Sequence, residues 1–499
     1  MAYQGNFPIE AKLKTFLALD PALFIDGRRI AGDASARLPV YDPATGLELT
    51  QIIDADASDV DRAVRSAHAA FEDGRWRNLR PTDRERILLR LAELIDENAE
   101  ALAQLETLDQ GKSIHMSRIF ASGASAQWTR YIAGLTTKIT GRTMELSLPP
   151  SPANWTAYTR REPIGVVAGI APWNFPMMIA LWKVIPALAA GCSIVLKPSE
   201  VTPLAGLWLA ELATEAGIPD GVFNVVTGVG SVSGSALVSH PLVRKITFTG
   251  STATGKAIGR VAMDNLVPVS LELGGKNPAL VLKDVDVEAV ASGLVIAGFF
   301  NQGQVCAAAS RLYVEAPVYD AVVGALEAAI KGMSIGAGLD PTTQVNPLVS
   351  KAHQDKVSRY VADARAKGAD ILEGVAAPDS EGYYVSPSLI LNPSNDMDLA
   401  RQEVFGPVVN VTKIDSVEEG IALANDIELG LTASVWTQNL SQAMNITRRL
   451  DAGTVWVNSH NFIDPNMPFG GMKQSGLGRD FGVDWLDAFT EVKSVCISH

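Results

Sequence analysis

Short apolar runs and longer amphipathic stretches take turns along most of this chain. Gly165-Val166-Val167-Ala168-Gly169-Ile170, Ser193-Ile194-Val195-Leu196, Val222-Phe223-Asn224-Val225-Val226 and Lys245-Ile246-Thr247-Phe248 are separated by helix-length segments. Runs of this kind, apolar on both faces, predict a parallel sheet covered by helices. A second alternating region, from about Asn277 to Met467, predicts another α/β unit. Nearer the start, Val60, Ala63, Val64, Ala67 and Phe71 recur at helical spacing behind Ser58 and Asp61. Pro81-Thr82-Asp83 opens a longer helix on which Ile87, Leu91, Leu94, Ile95 and Leu102 share a face. Phe175 to Leu196 is the most membrane-like segment. Lys183, Pro186 and Gly191 within it predict instead a buried helix that turns into a strand.

The rhythm breaks between Gly141 and Arg161. A Pro-rich corner, Pro149-Pro150-Ser151-Pro152, is followed by alternation through Trp155 and Tyr158, which predicts an extended hairpin. Val492 to Ile497 predicts one more strand. Two such peripheral segments can form an edge that pairs with another subunit, or an ordinary surface ribbon.

Composition narrows the setting. The 499 residues are 47% hydrophobic, enough for two or three domains and a large core. A formal net charge of -13 argues against nucleic acid or an anionic membrane as the main partner. Three cysteines, Cys192, Cys306 and Cys496, argue against a disulfide framework and for a reducing compartment. Met1 to Pro8 lacks the charged start and apolar run of a secretory signal, so a cytoplasmic location is expected.

Candidate chemistry centres on Asn301-Gln302-Gly303-Gln304-Val305-Cys306. A cysteine attacks carbonyls as a thiolate, and so needs exposure and a group that lowers its pKa or removes its proton. The residues before Cys306 predict a loop, and Ala307-Ala308-Ala309-Ser310 after it predict a helix start that would favour the anion. The alternative is a buried structural cysteine. Three other stretches suit a dinucleotide. Phe248-Thr249-Gly250-Ser251-Thr252-Ala253-Thr254-Gly255 runs from a strand into a helix start, where N–H groups and the Ser251 hydroxyl can meet a pyrophosphate or simply cap the helix. Lys197-Pro198-Ser199-Glu200 ends a strand, where a Lys and a Glu can grip ribose hydroxyls and the Glu repels a 2′-phosphate. Gly228-Val229-Gly230-Ser231-Val232-Ser233-Gly234 nearly has the dinucleotide glycine spacing but is off by one residue.

Together these segments resemble the aldehyde dehydrogenase superfamily. The resemblance is carried in order by Pro172-Trp173-Asn174-Phe175, Lys197 to Glu200, Phe248 to Ser251, Leu271-Glu272-Leu273-Gly274-Gly275-Lys276, Gly303 to Cys306, Glu403-Val404-Phe405-Gly406-Pro407 and Pro468-Phe469-Gly470-Gly471. Within the superfamily it looks most like bacterial enzymes acting on phenylacetaldehyde, in Phe299 to Arg311, Leu431 to Ser441 and Gly453 to Phe481. The resemblance implies an α/β fold with a Rossmann-type parallel-sheet cofactor domain in residues 1–140 and 162–275. A catalytic α/β domain would occupy 276–485, and a β flap in 141–161 and 486–499 would join subunits. It also implies a homo-oligomer, with a tetramer favoured over a dimer.

The roles it implies are specific. Cys306 would be the nucleophile, Asn174 and the Cys306 N–H the donors to the alkoxide, and Glu272 the base that hydrolyses a thioester, with Lys183 and Asp480 linking Glu272 to solvent. The cofactor would be NAD, held by Ile170, Pro172, Trp173, Lys197, Ser199, Glu200, Gly230, Phe248, Gly250, Ser251, Gly255, Leu273, Gly274, Glu403 and Phe405. Phe175, Trp182, Phe300, Val305 and Phe469 would line the aldehyde tunnel, an uncharged aromatic wall suited to an arylacetaldehyde. No metal is implied. The expected activity is oxidation of phenylacetaldehyde to phenylacetic acid; broad aldehyde specificity and a non-catalytic NAD-binding scaffold stand as alternatives.

Overall fold

The computed structural model describes residue 5, residues 7–394 and residues 397–499; of the Met1 to Pro8 segment, residues 1–4 and 6 lie outside the described residues. Five parallel strands form the centre of an eight-stranded sheet, in the order Phe223–Val225, Ser193–Lys197, Val166–Ile170, Val243–Thr249, Val269–Glu272. The four apolar runs are four of these strands. Buried on both faces, they have no reason to alternate. Between the first two in sequence lies the helix Pro176–Ala190, buried at every position, with Lys183 among its buried residues. Among the described residues no helix is long and apolar enough to cross a membrane.

Two helical expectations change in detail. The Ala57–Glu72 helix is capped by Asp56, whose carboxylate accepts from the Ser58 and Asp59 N–H groups; Ser58 lies inside the first turn. The face drawn from Ile87 to Leu102 belongs to two helices, Pro81–Glu97 and Ala99–Gln110, with Asn98 between them. Asn98 Nδ2 donates back to Leu94 O at 2.8 Å, a local bond that competes with helix continuation.

A second sheet of seven strands has six in parallel, in the order Ser388–Leu391, Val408–Ile414, Ala309–Glu315, Asn277–Val281, Thr432–Trp436, Thr454–Val457. The expected helix after Cys306 is not there. Ala309 begins a strand bonded on both sides, to Asn277–Val281 and to Val408–Ile414, and this pairing overrides the helix preference of three alanines. Thr143–Met144, Trp155–Pro163 and Thr490–Ser498 form a separate antiparallel sheet at the periphery, with Val492 and Ile497 exposed.

Sheet polarity positions the site. Thr249, Gly250 and Glu272 stand at the C-terminal ends of strands in the first sheet, whereas Cys306, Glu403 and Phe405 precede the N-terminal ends of strands in the second. All of them line one open cleft.

Candidate active site

The cysteine loop is built from strained backbone. Asn301, Gln302 and Gly303 take three consecutive left-handed conformations, with φ of 48, 55 and 68°. A Cβ at Gly303 would lie 2.1 Å from Gly406 O, so no larger residue fits without moving the chain that carries Phe405. Such strain persists only where the surroundings hold it. Here Asn277 Nδ2 donates to Cys306 O at 2.8 Å and to Ala308 O at 2.9 Å. His460 Nε2 donates to Ala307 O at 2.7 Å, and Thr432 Oγ1 to the same oxygen at 3.1 Å. Burial pushes the His460 pKa down to about 4, so the clamp stays neutral and does not switch near pH 7.

The half-buried Cys306 gains nothing from a helix dipole, and its thiol is not activated by the chain alone. Burial pushes its pKa up to about 12, and the carboxylates of Glu403 and Glu272 add to the rise; the Ala307 and Cys306 N–H groups oppose it. The expectation of a lowered pKa is therefore reversed here. The thiol is protonated at neutral pH, and its proton must leave as the reaction begins.

Glu272 ends the Val269–Glu272 strand and is buried, and among the described residues its Oε2 accepts no hydrogen bond. Burial raises its pKa well above 4.5, Asp480 raises it further, and Lys183 and Arg479 oppose the rise. Lys183 Nζ and Asp480 Oδ2 are 2.9 Å apart, and Asp480 Oδ1 accepts from Trp485 Nε1 at 3.2 Å. Behind the carboxylate, Gly470 has φ of 154°, and a Cβ there would stand 2.7 Å from Glu272 Oε1.

Asn174 is buried at the cleft wall, where its Nδ2 donates to Gln304 O at 3.1 Å. That bond uses one of two amide hydrogens, and the other has no acceptor among the described residues. Glu403 also lines the cleft, with Oε1 accepting the Gly275 N–H at 3.1 Å; burial pushes its pKa up to about 7. Of the residues expected at a cofactor, Pro172, Trp173, Gly250, Ser251, Leu273, Gly274, Glu403 and Phe405 line the cleft with Cys306, Glu272 and Asn174. Ile170, Lys197, Ser199, Glu200, Gly230, Phe248 and Gly255 lie outside its wall. Lys197 and Glu200 form a 3.2 Å ion pair, and a Cβ on Gly234 would stand 3.6 Å from Lys197 Cδ, so the near-miss glycine loop borders that pair. Ser251 Oγ accepts Thr254 N–H at 3.2 Å as the cap of Thr252–Asp264.

Phe175, Trp182, Val305 and Phe469 are buried in one core cluster, with Phe300 and Cys306 packed at its margin. None of these four, nor Phe300, lines the cleft itself. Phe120 links Phe175 and Phe300 at centroid distances of 5.3 and 5.5 Å, while Phe481 links Trp182 and Phe469 at 4.7 and 5.9 Å. Phe120 and Phe481 escaped sequence reasoning, as did His353 and Lys356, which line the cleft together with Thr249 of the Phe248 to Gly255 stretch. His353 packs 5.0 Å from the Trp173 ring and donates from Nε2 to Phe405 O at 2.7 Å. Its only sequence signal was a position in the first turn of an amphipathic helix, Lys351–Ala366.

Set against known proteins, residues 30–495 match the model of the Aldehyde dehydrogenase family, and the chain belongs to that family. It is 47% identical to a phenylacetaldehyde dehydrogenase of Pseudomonas fluorescens, over 97% of each chain. With a putative aldehyde dehydrogenase, DhaS, of Bacillus subtilis (strain 168) it shares 44% identity over 98% of each. The NAD+ complex of an aldehyde dehydrogenase from Bacillus cereus superposes with a TM-score of 0.96 at 42% identity, covering 99% of this chain and 100% of that one. A P. syringae indole-3-acetaldehyde dehydrogenase variant, in complex with NAD+ and IAA, gives 0.92 at 40% identity, covering 99% and 98%.

Proposed function

We propose that this enzyme oxidises phenylacetaldehyde to phenylacetic acid with NAD, through a covalent adduct on Cys306. The observation that carries the chemistry is the convergence of Cys306, Asn174 and Glu272 on one cleft with Glu403 and Phe405. The residues fit a dinucleotide. Hydroxyl and N–H groups at the start of Thr252–Asp264 suit a pyrophosphate, the Lys197–Glu200 pair suits ribose hydroxyls, and a Cβ at Gly230 would meet nothing within 4 Å. The Glu200 carboxylate would repel a 2′-phosphate, which favours NAD over NADP. Bound there, NAD supplies the hydride acceptor for the oxidation.

The chain's own groups carry the rest. As Cys306 Sγ attacks the aldehyde carbon its proton passes to water in the cleft, giving a thiohemiacetal alkoxide. The free amide hydrogen of Asn174 and the Cys306 N–H donate to that oxygen, each such donor contributing about 3 kcal/mol to lowering the barrier. Once the adduct is a thioester, Glu272 takes a proton from water, whose oxygen attacks the acyl carbon; sulfur leaves and the acid forms. Glu272 is suited to this because burial raises its pKa and its Oε2 has no donor among the described residues. Lys183 and Asp480 act electrostatically on Glu272 and are assigned the passage of its proton.

The aromatic side chains packed around Cys306, with no charged group of their own, support an arylacetaldehyde. The same reading divides the chain into a cofactor domain (1–140 and 162–275), a catalytic domain (276–485) and an oligomerisation flap (141–161 and 486–499), assembled as a tetramer. NADH formation from phenylacetaldehyde, acetaldehyde and betaine aldehyde, with NAD or NADP and no coenzyme A, tests it. The expected result is a clear phenylacetaldehyde preference in kcat/KM with NAD. A flat profile would reduce the reading to a broad aldehyde dehydrogenase, and no turnover without coenzyme A would remove the role given to Glu272.

A further inference from the structure

Glu106 and Lys112 take no part in that scheme, yet both side chains are fully buried and only 2.6 Å apart. Burying two charges is costly, and apolar side chains often serve a core as well. What the pair touches gives it a use. Lys112 Nζ donates to the Asn174 carbonyl at 2.7 Å and stands 4.1 Å from the centroid of the Phe175 ring. Glu106 Oε2 accepts the Met177 N–H at 3.1 Å, in the first turn of Pro176–Ala190. The two charges thus hold the chain on both sides of Phe175.

The cysteine loop holds Asn174 from the other flank. Asn301 Nδ2 donates to the same Asn174 carbonyl at 3.2 Å, and Gln304 O receives the Asn174 amide at 3.1 Å. An amide group is planar. With the backbone held by Lys112 and one amide hydrogen held by Gln304, the direction of the second hydrogen is set as well.

We propose that the Glu106–Lys112 pair is a positioning device for the oxyanion donor, holding the Asn174 backbone so that its free amide hydrogen meets the alkoxide on the Cys306 adduct. This rests on the reading of Asn174 as that donor. Both residues act through Asn174 and neither touches the reacting atoms.

A double-mutant cycle tests it. Two changes are made, each in the native protein and in an Asn174→Ala background. One is Glu106→Gln with Lys112→Met, which removes both charges without leaving one unpaired. The other is Lys112→Arg, which keeps the charge but moves the donor. The readouts are single-turnover NADH formation at saturating aldehyde, NAD affinity by fluorescence titration, and thermal melting. The expected loss of rate in the native background is between about tenfold and about a hundredfold. NAD affinity should be unchanged, and the Asn174→Ala background should show no further loss. Equal losses in both backgrounds, or none in either, would overturn the proposal. Failure of both changes to fold would assign the pair to the fold and overturn it too. If Asn174→Ala alone leaves the rate unchanged, the donor reading falls first and separately.

Discussion

Glu272 and Glu403 line the same cleft, are both buried, and are both pushed towards the neutral acid, yet they are held in opposite ways. Glu403 has an oxygen fixed by the Gly275 N–H at 3.1 Å. Glu272 has an oxygen that accepts from no donor among the described residues. A hydrogen-bonded carboxylate has a defined direction and resists protonation, which suits a group that grips a ligand. A carboxylate with no donor and a second acid nearby holds its proton tightly once it has one, which suits a group that cycles a proton. The residue type is the same; the neighbouring donors differ.

Glu272→Gln breaks the comparison most sharply. Without a base the thioester should accumulate, so a first burst of NADH persists while steady-state kcat falls about a thousandfold. Burial raises the Glu272 pKa, and a base works only when ionised. Activity limited by hydrolysis should therefore climb with pH in the native enzyme, and the climb should vanish in the variant. Rapid-quench and steady-state assays across pH measure both. An unchanged burst and an unchanged kcat would show that water is activated by another group.

Glu403 makes a prediction about stability. Its pKa rises from 4.5 to about 7 on folding, so the folded protein binds that proton more tightly than the unfolded chain. Stability from this group is therefore full below pH 4.5 and is lost as pH rises to about 7. The deficit above that pH is about 3 kcal/mol by the usual conversion. Glu403→Gln carries no such deficit. The cofactor-free variant should melt higher than the native protein at pH 8, and the gap should close near pH 5; a gap independent of pH would show that Glu403 stays ionised.

The parts of the site that were legible in the sequence share one property. Cys306, Glu272, Asn174 and the glycines beside them lie in contiguous stretches, and for Glu272 and Asn174 it was the family resemblance carried by those stretches, not the residues alone, that marked their roles. Lys112 was not legible, because its bond to Asn174 O spans 62 positions and nothing local marks a buried lysine. His353 and Lys356 reach the cleft from a helix whose pattern records only its amphipathic packing. The helix expected after Cys306 failed for a related reason. Three alanines favour a helix locally, but Ala309 pairs with Asn277, and the strand it begins gains a second neighbour from Arg311 onward.

The smallest expected effect separates the position of Glu272 from its chemistry. Gly470 has φ of 154°, and a Cβ there would stand 2.7 Å from Glu272 Oε1, 2.8 Å from Arg479 Cδ and 3.0 Å from Gly478 O. Gly478 O belongs to the backbone and yields least, so Gly470→Ala should displace the carboxylate and the arginine. Glu272 would keep its charge and burial but lose its place. A shift of this kind should slow hydrolysis about tenfold while leaving the first burst of NADH intact. A slower burst with normal hydrolysis would mean that the Gly470 turn supports Cys306 instead. A lower melting temperature with both steps unchanged would mean that Glu272 tolerates displacement, and that its free oxygen matters less for where it points than for having no donor.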